Sequence, residues 1–146
     1  MKHSLTKFSH KHTLTRMGAG GVLLLSLMLT SQTTDTPILT KEKDVTVINT
    51  TDLASDIEGY AGCTPVKIYI RNDKVLRIEA LENEETPKYF DMMTGKGLLK
   101  KWNGQPVKKA EKQKVDAVTG ATVSSEAVIE NVRRGIAYYN YMNKKK

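Results

Sequence analysis

Histidine is missing from most of this 146-residue chain: the three it has, His3, His10 and His12, all lie in the first twelve positions. The rest therefore holds no Ser-His or Cys-His pair, no usual zinc or haem ligand, and no side chain that titrates near neutral pH by default. Cysteine is nearly absent too. Cys63 stands alone, so no disulfide can close within the chain. Aromatic residues make up only 6% of the sequence, with one tryptophan, and no internal repeat is found. At this length one ordinary domain is expected. Such a body is poorly equipped for catalysis by its own side chains, so any redox role would need a bound cofactor to supply the electron chemistry.

Acidic residues are missing from the first thirty positions, which carry Lys2, Lys7, Lys11 and Arg16. The apolar run at 17–30, MGAGGVLLLSLMLT, has 14 residues, short of the roughly 20 that span a bilayer core. Positive charge followed by a short apolar run reads as a signal peptide over 1–30. No clear Ala-x-Ala site follows, which leaves an uncleaved membrane anchor open, and no Cys follows the run, which argues against a lipoprotein. An exported domain, periplasmic or extracellular, is the expectation. Beyond residue 30 the balance is 19 basic to 16 acidic residues, a net of only +3. Residues 31–44, rich in Thr and Lys, read as a linker, 45–142 as the domain, and 143–146 as a basic, frayed tail.

Within the domain, Val45, Val47 and Ile48 suggest a short strand, and 52–58 a helical turn leading to Gly59-Tyr60-Ala61-Gly62. Alternation is clear from Thr64: Val66, Ile68 and Ile70 share one face, Lys67, Tyr69 and Arg71 the other. Asn72-Asp73 supplies a turn, and the return strand is expected to place Leu76, Ile78 and Ala80 inward, Arg77 and Glu79 outward. Thr86 and Pro87 open a helix with Phe90 and Met93 inward, ending at Gly95-Lys96-Gly97. Leu98, Leu99 and Trp102 mark a short helix closed by Asn103-Gly104, Pro106 starts another turn, and 114–118 reads as a strand. A final helix carries Val128, Val132, Ile136 and Tyr139 on one stripe, widened by Ile129, with Glu130 and Arg134 paired on the other face. The fold class is α+β: a small antiparallel sheet built on a hairpin at about 64–81, covered by helices.

The stretch Asp116-Ala117-Val118-Thr119-Gly120-Ala121-Thr122-Val123-Ser124-Ser125 runs straight into that last helix. Gly120 and Ala121 let a bulky anion approach the backbone, where the free N–H groups of a helix's first turn point at it. Four hydroxyls, on Thr119, Thr122, Ser124 and Ser125, stand within seven residues. This composition describes an anion cradle of the kind that holds phosphate. The same residues could instead simply cap the helix and bind nothing.

Position for position the stretch resembles the pattern Asp-x-x-Ser/Thr-Gly-Ala-Thr of the FMN-binding domain family, which includes peripheral subunits of membrane-bound NADH:quinone and ferredoxin:NAD oxidoreductases. Two more stretches are similar to that family in the right order. Gly59-Tyr60-Ala61-Gly62 resembles its Gly-Tyr-x-Gly turn, and Glu85-Thr86-Pro87 the start of its Glu-Thr-Pro-Gly-Leu-Gly flavin loop. The resemblance covers about 59–132. It implies FMN as cofactor, esterified through its phosphate to Thr122 by a dedicated flavin transferase. Thr119, Gly120, Ala121, Ser124 and Ser125 would hold the phosphate; Tyr60, Glu85, Thr86 and Pro87 would lie at the ring. Asp116 would be read by the transferase or cap the turn. Lys88-Tyr89-Phe90 departs from the family's Gly-Leu-Gly, so that half of the loop is not carried over. Cys63 stands where the family often has Pro and reads as a small packed thiol, with a redox-active partner of the flavin as the alternative. Tyr60, Tyr69 and Trp102 are the aromatics considered as flanks for an isoalloxazine ring.

The resemblance thus points to an exported electron carrier or oxidoreductase subunit rather than a self-sufficient enzyme. Its electrons would pass to a redox partner protein, with membrane-bound partners among the options. FMN held without the ester is one alternative. Another is a cofactor-free basic module in which Lys96, Lys100, Lys101, Lys108, Lys109, Lys112 and Lys114 dock acidic partners. A third is reduction or sensing of a small molecule by the domain itself. Neither nucleic acid nor a metal is expected: no recognition motif and no ligand set is present.

Overall fold

A computed structural model of the protein describes residues 36–145; the leader expected over 1–30 lies outside them. Four strands, β1 (Leu39–Glu42), β2 (Val45–Asn49), β3 (Val66–Arg71) and β4 (Lys74–Ala80), form one antiparallel sheet in sequence order. Three helices accompany it: α1 (Pro87–Gly95), α2 (Val107–Ala110) and α3 (Thr122–Lys144). A 3-10 turn at Leu98–Lys100 sits between α1 and α2. The architecture is the expected α+β.

The β3–β4 hairpin turns on Asn72 and Asp73, at φ +50° and +55°. Two successive left-handed residues make the turn whose twist matches that of the strands it joins. Its apolar face differs from simple alternation. Tyr69 pairs with Arg77 but Ile70 pairs with Val75, so Leu76 is the extra residue of a β-bulge. The bulge turns Val75 into the core beside Ile78 and pushes Leu76 to the surface, the reverse of the orientation expected for Leu76.

β1 falls inside the segment read as linker. It pairs with β2 across a tight turn at Lys43 and Asp44, with Lys43 at φ +56°. Three of its four residues are exposed, as suits an edge strand, so its sequence shows no inward stripe. The opposite error occurs at 114–118, where no strand forms. The outer edge of β4 is taken near its start by the chain after the 3-10 turn: the Val75 N–H donates to the Gln105 carbonyl at 2.9 Å, and Lys74 bridges Pro106.

α3 lies across the sheet on β2 and β3, with Val128, Val132 and Ile136 fully buried against Ile48, Ile68 and Ile70. Gly135 sets how closely it approaches: a Cβ there would stand 2.5 Å from Ile68 Cδ1 and 3.0 Å from Thr50 Cγ2. Beside it, Asn131 and Thr50 are buried and bonded, the Thr50 hydroxyl donating to Asn131 Oδ1 at 2.7 Å and accepting from the Val66 N–H at 2.9 Å. A polar pair satisfied only in one placement pins the helix to the sheet. α3 continues to Lys144, past its last buried residue at Tyr139 and into the expected tail. Trp102, Leu98 and Met93 fill the core from the other helical segments.

Candidate functional site

The cradle is built by a tight turn and one serine. The Ala121 N–H donates to the Val118 carbonyl at 2.9 Å, and Gly120 takes φ +89°. Glycine is required there twice over, since a Cβ would also stand 3.0 Å from Met92 Sδ. Ser125, fully buried, accepts the Val118 N–H at 3.1 Å and donates to the Ala121 carbonyl at 2.7 Å. Its hydroxyl is committed to the turn, so it shapes the cradle from behind rather than reaching toward a ligand.

What this leaves unmade is informative. No side chain caps α3, whose N-cap is Ala121. The N–H groups of Thr122, Val123 and Ser124 take no partner among the described residues. Ser124 is 1% exposed and its Oγ also has no hydrogen-bond partner. Buried hydroxyls are ordinarily bonded, and an orphan of this kind calls for a reason. The helix is therefore not capped by its own side chains, as a purely structural reading of these residues expects.

Gly120, Ala121, Thr122, Val123 and Ser124 line one side of an open cleft of about 250 Å³, and Tyr60 and Tyr89 line the other. Thr122 is exposed at its rim. Thr119 and Asp116 are not in this cleft. They border a second one, of about 370 Å³, with Lys96, Leu98 and Lys101, and Asp116 makes no side-chain hydrogen bond to the turn.

Tyr60 is brought across by Glu85. That carboxylate, 6% exposed, accepts the Tyr60 N–H at 2.6 Å through Oε1 and the Thr86 N–H at 3.1 Å through Oε2. The Gly59 N–H donates to the Gly62 carbonyl at 2.8 Å, and a Cβ on Gly59 would lie 2.0 Å from Glu85 Oε1. Glycine at 59 is thus what admits the carboxylate. Glu85, expected at the ring, instead bolts the 59–62 turn to the start of α1. Thr86 is the N-cap of α1, without a side-chain cap bond, and Pro87 follows at its first position; neither lines the cleft.

Tyr69 and Trp102 do not join the site. Tyr69 lies on the outer face of the sheet under the Arg77 guanidinium, 3.6 Å from its ring centroid, and donates to Glu79 at 2.8 Å. Hydrogen bonds from Arg77 and then Tyr69 hold the Glu79 carboxyl below its usual range. Trp102 is core. Cys63 is half-buried, its thiol donating to the Ser55 carbonyl at 3.5 Å, and it does not line the cleft. Tyr89 is the residue that sequence reasoning missed. Its signal was its place in the departure from Gly-Leu-Gly, which was used only to withhold contacts.

The fold and the cleft together define a small α+β domain that offers a phosphate-sized anion a helix N-terminus beside two aromatic rings. A family model described as FMN-binding domain matches residues 59–137, more than half of the chain. The chain belongs to the FMN-binding domain family, and FMN is its cofactor. No curated protein and no solved structure gives a match. No helix among the described residues is long and apolar enough to cross a membrane.

Proposed function

We propose that the protein is an exported electron-transfer domain carrying FMN esterified through its phosphate to Thr122. The observation that supports it best is the exposed Thr122 at the rim of the cleft, beside three N–H groups left free at the head of α3 among the described residues. Those donors suit the two unesterified oxygens of a phosphodiester. Thr122 Oγ1 would carry the ester, and the free N–H groups of Thr122, Val123 and Ser124 would hold the remaining phosphate oxygens. Bound there, FMN supplies the redox chemistry that the side chains of this domain lack. A covalent link also suits an exported protein, since it keeps the cofactor at high effective concentration where a free pool would dilute away.

In this reading the domain spans the described strands and helices, the first thirty residues direct export or anchor the chain, and turnover belongs to a redox partner. Lys96, Lys100, Lys101, Lys108, Lys109, Lys112 and Lys114 are all exposed. They would steer an acidic partner, with an association rate that falls as salt rises.

The test is a denaturing gel of the chain coexpressed with a flavin transferase. A band fluorescent under ultraviolet light is expected for the native sequence and none for Thr122→Ala. Fluorescence that survives Thr122→Ala refutes the attachment point. A native protein that is yellow but loses its colour on denaturation selects the non-covalent alternative. The intact mass of secreted material reports leader removal and flavin addition together.

A further inference from the structure

The cleft beside Thr122 holds about 250 Å³, below the roughly 300–1,000 Å³ of sites that enclose small ligands. It is too small to surround a flavin, so the ring needs a surface to lie on rather than a cavity. Two side chains offer one. Tyr89, from α1, is half-buried and backed by the core, whereas Tyr60 is 62% exposed. Their rings meet edge to face, with centroids 4.9 Å apart. Val123, 49% exposed, adds an apolar contact on the cradle side. Neither phenol hydroxyl makes a hydrogen bond to the described residues, unlike those of Tyr69 and Tyr139.

We propose that Tyr89 and Tyr60 form the aromatic wall on which the isoalloxazine ring of the Thr122-borne flavin rests, with its outer edge left open to solvent and to a redox partner. The inference rests on the cleft being the flavin site, and goes beyond it by setting Tyr89 beside Tyr60, the residue that the motif already places at the ring. Flat aromatic ligands gain from contact with tyrosine rings, and the free phenol hydroxyls can serve the polar edge of a flavin. Tyr89 stands in the segment Lys88-Tyr89-Phe90, which lacks the glycines of the family's loop. A side-chain surface here takes the place of close backbone approach.

Flavin emission reads the wall directly. A phenol touching the excited ring lends it one electron and recovers it, so light is lost with no net chemistry. The full chain would be loaded by coexpression with a flavin transferase, and emission per flavin compared before and after complete proteolysis. The native protein is expected to be several-fold dimmer than its digest. Tyr89→Leu and Tyr60→Leu should each brighten the native protein several-fold at unchanged flavin content. Tyr89→Phe should also brighten it while keeping the shape of the flavin absorption band, because phenylalanine fills the same space but is far harder to oxidise.

Should Tyr89→Leu fail to fold, the exposed Tyr60→Leu carries the test. Full flavin content with emission unchanged in the leucine variants would overturn the wall and leave the attachment at Thr122 standing. Flavin absent from the native chain, or found on a peptide without Thr122, would overturn both.

Discussion

At the head of α3, Ser124 is the residue through which a binding site can be told from a mere helix start by experiment. A serine placed for stability would have its hydroxyl bonded, whereas this one is buried with none. An unsatisfied buried polar group costs about 1–3 kcal/mol, so a hydroxyl kept there without a ligand is a liability. Ser124→Ala is therefore expected to leave the flavin-free protein as stable as before or more stable by up to about 1 kcal/mol, while lowering flavin loading on coexpression. Thermal unfolding of flavin-free protein, set beside flavin absorbance after coexpression, checks both halves. A loss of stability with unchanged loading would make the serine structural. Glu85 shows the converse. A carboxylate whose motif resembles a flavin loop accepts, through both oxygens, from backbone N–H groups of its own chain. Sequence showed which segments gather around the cleft, but not which side chains line it. That difference rests on angstroms of placement, such as the clearance that Gly59 leaves for Glu85 Oε1.

At the scale of elements, α3 is the part on which site and core both depend. Its N-terminus is the cradle, and its middle is locked to the sheet by Gly135 and the Asn131–Thr50 pair. Overpacking at such a contact costs about 1–3 kcal/mol, and a β-branched residue in a helix adds to it. Gly135→Val should thus destabilise the domain by about 2 kcal/mol or more. Because the shift would be transmitted along a rigid helix, flavin loading should fall as well. Chemical denaturation with flavin titre measures the two together. The stripe Val128, Val132, Ile136 and Tyr139 was readable because a period near 3.6 is a local property of the chain. β1 and the absent strand at 114–118 were not. Whether a segment joins a sheet depends on an edge being free to pair with it, and the β2 edge was free while that of β4 was engaged near Lys74. The Leu76 bulge is of the same kind, since one inserted residue reverses which side chains face inward without changing the composition of the strand.

At the scale of the whole domain, the described residues hold no histidine, and their pH response lies in tyrosines and carboxylates. Tyr139 donates to Asp73 at 2.8 Å, and burial first, then that bond, pushes its phenol above the ordinary 10.0. Tyr69 is raised in the same direction, by burial and by Glu79. A group whose folded value is raised contributes stability that is complete below its unfolded value and is lost as pH rises through the folded one. The domain should therefore lose stability as pH climbs beyond 10, the ordinary tyrosine value. Tyr139→Phe should flatten part of that decline, with the Tyr69 share remaining. At neutral pH the variant should give up about 0.5–1.5 kcal/mol, the net worth of one hydrogen bond. Denaturant midpoints at neutral pH and above 10 test the slope, and an identical slope in the variant would remove Tyr139 from the account.

By itself the sequence determined the class of fold, the hairpin, the last helix and the cradle motif. Each of these is written in local order: alternation, turn residues, helical period and a run of small and hydroxyl-bearing side chains. It also narrowed the chemistry to a bound cofactor, because a histidine-poor chain has few other means. Tertiary structure decided the rest. It set Tyr89 beside Tyr60, tied Glu85 to the 59–62 turn, split the four hydroxyls among different places and moved Tyr69 and Trp102 away from the cleft. These outcomes depend on which distant segments come to share a surface, and a side chain's partners across that surface are not encoded at its own position.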